Sequence, residues 1–193
     1  MTDKSPESAA ATAPPAWLIP YIPRDPELLA AIGRVAVRHG FLDLILKRTV
    51  KTLADITPGE ADRALAYETS RNVRDLIRRL AVHRLGKRSV AVLRLKAILA
   101  DCERVTEKRN ELVHDVWAQV LDGDPVLIGV HAHKPTPSAV DVNKLADEIF
   151  GLANTLNEAR MHAGGFLFDA LAALTGPAAV AEEKRELKAN GPE

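Results

Sequence analysis

A chain of 193 residues, 47% hydrophobic and 27% charged, has the composition of a globular domain and enough length to bury one substantial core. Aromatics make up only 4%, which favours helix over sheet, and 26 basic against 26 acidic residues leave no bulk basicity to announce nucleic acid. The single cysteine, Cys102, excludes an intrachain disulfide and a Cys-based zinc site, and no apolar run reaches the roughly 20 residues needed to span a bilayer.

Residues 1–16 are Ala, Pro, Ser and Thr with little to bury, which predicts a disordered tail. They lack the apolar core of a signal peptide, so the expected location is cytoplasmic and no membrane partner is expected. In the WLIPYIP stretch that follows, Trp17, Ile19 and Tyr21 are candidates to pin the chain to the body. Asp25-Pro26 supplies an N-cap and a proline at the first helical position. Leu28, Ile32, Val35, His39, Leu42, Leu46, Thr49 and Leu53 then recur at steps of three and four, predicting one long amphipathic helix. Thr57-Pro58-Gly59-Glu60 is a capping box, and the spacing Leu65, Thr69, Val73, Leu76, Leu80 predicts a second helix running on to Gly86. Ser89 starts a third, whose seam reads Leu95, Ile98, Cys102, Val105, Arg109, Leu112 and Val116. WAQVL and PVLIGV around Asp122-Gly123-Asp124 predict a hairpin, and residues 131–137 a loop. Val142, Leu145, Ile149, Leu152, Leu156, Ala159, Ala163 and Phe166 predict a fourth helix that continues towards Leu171. The expected fold is all-α: a four-helix up-down bundle over residues 17–174, a small β-hairpin between the third and fourth helices, and disordered termini, with residues 175–193 as a solvated tail.

The third seam contains one anomaly. Arg109 occupies a position that the spacing reserves for an apolar residue, and a guanidinium cannot shed its charge when buried. Asn110 and His114 are four apart and share a face; Arg109 and His114 are about 140° apart, yet the arginine is long enough for both tips to reach one small anion. Between Arg71 and Lys96, nine arginines or lysines stand against the single acid Asp75, a local field suited to a phosphate backbone or to a solvated helix face. Arg71 and Arg74, on the helix returning towards the motif, are the nearer members.

RNELVH, residues 109–114, resembles the Arg-polar-x(3)-His version of the HEPN signature, and its place late in the third helix of a bundle fits that resemblance. The likeness implies a metal-independent endoribonuclease, active as a symmetric homodimer with two motifs face to face and acting as a toxin or in phage defence, with a cognate antitoxin as a further partner. It implies that His114 moves the proton of the 2′-hydroxyl or of the leaving oxygen, that Arg109 clamps the phosphorane, and that Asn110 orients the histidine or binds phosphate. RNA would be held by Arg71, Arg74 and Trp117, with no metal and no cofactor. Where many relatives carry glycine after the histidine, this chain has Asp115.

Blander readings stand beside these. Arg109 pairs with Glu68 or Asp43, His114 is a helix-end histidine, Trp117 is a core aromatic, and the chain is a non-catalytic helical module that dimerises or binds a ligand or partner. His39 is read as a satisfied core histidine or a support for the motif. His131 and His133 lack a third ligand, so no zinc site is assigned, and Cys102 is read as an apolar filler. Apolar residues beyond one helical face, namely Leu29, Val37, Phe41, Leu44, Phe150, Phe168 and Leu171, point to a covered second surface and hence to a dimer.

Overall fold

The structure is a computed structural model that describes residues 18–120, 123–129 and 133–175. Most of both predicted tails, Trp17 and His131 lie outside the described residues, as does part of the predicted hairpin turn. A short strand, β1 (Leu18–Pro20), leads into α1 (Pro26–Ala54), where the Asp25 carboxylate accepts a hydrogen bond from the Glu27 amide at 2.9 Å. Ile19 is 48% exposed and so packs little of its side chain on the body. At the other end of α1, Asp55 turns left-handed and Arg84 donates to the freed Leu53 carbonyl at 3.1 Å.

The predicted second helix is two helices. The Thr57–Glu60 capping box starts α2 (Pro58–Ala64), which stops after two turns; α3 (Ser70–Leu85) starts afresh after an intervening turn. Thr69 fits the apolar spacing of a continuous helix, but its hydroxyl instead accepts the Asn72 amide at 3.2 Å as the N-cap of α3. After Gly86, α4 (Val90–His114) carries the motif, with Ser89 at its N-cap position but making no side-chain cap bond.

The predicted hairpin is part of something wider. β2 (Val116–Val120) pairs antiparallel with β3 (Pro125–Ile128), and β4 (His133–Pro135) forms inside what the sequence marks as a loop. With β1 added, the sheet has four antiparallel strands in the order β1-β2-β3-β4, in which Trp117 sits opposite Leu127 and Ala118 opposite both Pro20 and Val126. Val116 therefore leaves the helical seam and is 59% exposed on the sheet.

The last predicted helix is also divided, into α5 (Ala139–Met161) and α6 (Phe166–Thr175). Gly164 has φ +91° and Gly165 lies so close to the preceding turn that a Cβ there would be 2.4 Å from the Glu158 carbonyl oxygen. α1 packs most extensively on α5 and next on α3, while α4 packs on α5 and α3. Leu42, Leu46, Ile77, Leu95, Leu99, Ile149 and Leu156 are fully buried where these helices meet, each contributing roughly 1.5–3 kcal/mol by leaving water. Arg34 donates to Asn143 at 2.8 Å and Arg38 pairs with Asp147, tying α1 to α5 at the surface. The described part of the protein is thus mostly helical with a small antiparallel sheet, and no described helix is long and apolar enough to cross a membrane.

Two glycines, one at the α5–α6 break and one inside α5, make opposite predictions for substitution. Gly165→Ala drives a methyl into two backbone carbonyls and is expected to lower unfolding stability by about 2 kcal/mol or more in urea titrations. Gly151→Ala, inside α5 with open space around it, is expected to raise stability by about 0.5–1 kcal/mol in the same assay.

Candidate functional site

The end of α4 presents RNELVH as a cluster of side-chain tips. Arg109 Nη1 donates to Asn110 Oδ1 at 3.1 Å and also lies 3.1 Å from His114 Nε2. Since a guanidinium has only donors, Nε2 is the acceptor in this arrangement, and the ring proton belongs on Nδ1. Asn110 and His114 are exposed and Arg109 is half-buried, its Nε sealed from solvent without a partner. Among the described residues Arg109 forms no ion pair; the pairing with Glu68 or Asp43 that would make it purely structural is not present. Asp115, beside the histidine, points away: its carboxylate packs over Gly129 at the end of β3 and adds to the field on Lys134.

Arg109 and Asn110 form one wall of a cleft of about 360 Å³ between α1, α3 and α4. The start of α3 forms another wall, and the early stop of α2 brings Ser70, Arg71 and Arg74 there. Arg71 is exposed at the rim. Arg74 is 3% exposed; its Nη2 lies 3.7 Å from Glu103, and its Nε and Nη1 have no partner. The two arginines that the sequence assigns to RNA thus share a cleft with Arg109 and Asn110, whereas Trp117 does not line it. The Trp117 indole is half-buried against the core and donates to the Leu112 carbonyl at 3.0 Å, locking the helix end to the sheet. His114 lies just outside the cleft lining, one hydrogen bond from Arg109.

The third wall comes from α1 and was less visible in the sequence. His39, buried at 5% exposure, has Nδ1 3.2 Å from Asp43 and Nε2 3.2 Å from the Thr106 hydroxyl. Thr106 donates its hydroxyl hydrogen to the Cys102 carbonyl at 2.7 Å, which links the His39 ring to the backbone of α4. Ser70 donates to the other oxygen of Asp43 at 2.6 Å. Burial opposes ionisation of Asp43, but the His39 and Ser70 hydrogen bonds and the charges of His39 and Arg109 outweigh it, holding the carboxyl below its ordinary value of 3.8. The four-residue step from His39 to Asp43 on one helix face was the available signal; Ser70 and Thr106 had none.

Other parts of the chain offer less. A groove of about 560 Å³ between α4, α5 and the sheet holds Lys134 paired with Glu111 at 2.8 Å and Lys144 with Asp141 at 3.5 Å, leaving little unspent charge. In the basic segment Arg78 pairs with Asp75 and Glu103, and Arg94 stacks over Phe166 at 5.7 Å, so part of that charge serves the fold. Burial pushes the Cys102 thiol up to about 12, in keeping with an apolar filler rather than a nucleophile. Among the described residues no group of three His, Cys, Asp or Glu side chains could hold a metal ion. The chain matches no family model, and no curated protein or solved structure matches it.

The Asp43 contacts predict an acid-sensitive joint. Because the folded carboxyl titrates below its unfolded value, its contribution is fully present above about pH 4 and is lost as pH falls through the folded value. Thermal melts between neutrality and acid should show Asp43→Asn destabilised by about 1–3 kcal/mol near pH 6, with the difference from the native chain shrinking towards pH 2.

Proposed function

We propose that the chain is a metal-independent endoribonuclease of the HEPN type, with α1, α3, α4 and α5 as its up-down four-helix bundle and Arg109, Asn110 and His114 as its catalytic residues. One observation supports the reading: a guanidinium on an apolar seam forms no ion pair among the described residues and instead holds an imidazole at 3.1 Å beside a cleft that also contains Arg71 and Arg74. RNA brings its own nucleophile, so the protein has to move protons and stabilise charge. In the resting arrangement Arg109 occupies the Nε2 lone pair of His114. A phosphate that draws the guanidinium to itself frees that lone pair to take the 2′-hydroxyl proton. The 2′-oxygen then attacks phosphorus while the bond to the 5′-oxygen breaks, and Arg109 donates to the phosphorane oxygens. The products are a 2′,3′-cyclic phosphate and a 5′-hydroxyl.

The leaving oxygen needs a proton that a basic His114 cannot supply in the same turnover. A second copy would supply another histidine, and a homodimer remains part of the proposal, as does action as a toxin or phage-defence effector with a cognate antitoxin. The geometry restricts how the copies could meet. The exposed apolar residues Val37 and Leu44 lie on α1 with Phe150 of α5 nearby, but Val37 is about 160° around the helix from His39. Pairing through that stripe would keep the clefts apart, so two motifs that face each other must meet through the α3–α4 side.

A second reading is favoured by Glu103 and Glu107, which line the cleft and are unusual company for a polyanion: a non-catalytic module that binds a small ligand or partner there. Incubating the protein with total RNA in EDTA, followed by end-group analysis, separates the two. The expected result is cleavage to cyclic-phosphate ends, with His114→Ala and Arg109→Ala each slower by about 100-fold or more and melting temperatures little changed. Intact RNA with the native chain would sink the ribonuclease reading and leave the binding module.

A further inference from the structure

We infer that the start of α3, with Arg74 behind it, is a second phosphate-binding site that holds a neighbouring phosphodiester of the strand cut at Arg109 and His114. The inference rests on the ribonuclease reading for the identity of the strand, but not for the phosphate.

α3 is sixteen residues long, and its first turn opens into the cleft. Thr69 takes the Asn72 amide on its hydroxyl and the Val73 amide on its carbonyl, at 3.2 and 3.0 Å. Among the described residues the amides of Ser70 and Arg71 have no acceptor and remain as donors at the positive end of the helix dipole. Arg74 lines the same cleft; its Nη2 lies 3.7 Å from Glu103, beyond hydrogen-bond length, while Nε and Nη1 are sealed from solvent with no partner among the described residues. A guanidinium buried with so little to bond is costly unless an acceptor arrives, and a tetrahedral oxyanion in the cleft can take Nη2 of Arg74 together with the helix amides.

The acids around the site do not fill that role. Asp43 spends one oxygen on Ser70 and the other on His39, and Glu103 is held by Arg78 at 3.2 Å. That leaves Glu107, exposed, against Arg71, Arg74 and Arg109. The Ser70–Asp43 bond also fixes the first residue of α3 against α1.

The test is calorimetric titration of the full chain with inorganic phosphate and with a short DNA oligonucleotide, which has phosphodiesters but no 2′-hydroxyl to be cut. The native chain should bind both, the oligonucleotide more tightly. Arg74→Met and the rim substitution Arg71→Ala should each weaken both by about tenfold, the scale of one lost charged hydrogen bond, while Arg79→Ala, exposed and outside the cleft, changes neither. Met replaces a buried charge by similar apolar volume, a swap that proteins often tolerate; should it fail to fold, Arg71→Ala decides alone. No phosphate binding by the native chain, or unchanged binding in these variants, overturns the site. Phosphate bound without the oligonucleotide overturns its assignment to a strand. A chain that binds phosphate through Arg74 yet leaves RNA intact removes the ribonuclease reading and keeps the site.

Discussion

The Ser70 hydroxyl donates to Asp43, Asp43 receives the His39 ring, and the other ring nitrogen meets Thr106, which bonds the backbone of Cys102. This relay passes through α3, α1 and α4 in turn, along the floor of the polar cleft. Each polar group in it has a partner on either side, so the cost of burying it is met within the chain. Its effect is positional. The first residue of α3 is held against α1, and α4 is held at the register that sets Thr106 one turn before Asn110. The cleft exists because these three helices are fastened at one level rather than merely packed.

Around that fastened level the arginines are left unequal. Arg78 has two carboxylates, Arg84 caps a helix, and Arg38 is paired across to α5 while stacking over Phe150. Among the described residues Arg71, Arg74 and Arg109 have no comparable partner, and all three line the cleft. Two of the three, Arg74 and Arg109, have guanidinium nitrogens that are sealed from solvent without a partner. Such concentration of unmet donors is a different signal from net charge, which is zero for the chain and near balance even along the cleft walls.

How much of this could be read from sequence differs by element. Arg109, Asn110 and His114 lie within six residues of one helix, so their meeting follows from local spacing and the length of arginine. The junction at Leu65–Thr69 did not show, because Leu65 and Thr69 continue the apolar period while Thr69 serves as a cap. The same ambiguity hid the split before α6: Ala163 and Phe166 keep the heptad across two glycines whose backbone needs override it. Strands β1 and β4 are three residues long and carry proline, too short for an alternation to register. His39 was legible as a seam residue, but its partners come from helices far along the chain, and Ser70 becomes available to Asp43 only because of the unforeseen junction.

Cys102 gives the molecule an internal clock. It is the chain's only thiol, has no solvent-accessible surface, and sits directly beneath the relay through its own carbonyl. A small alkylating reagent can reach its sulfur only when α4 parts from its neighbours. The labelling rate therefore counts openings of the fastened level itself, without any engineered probe.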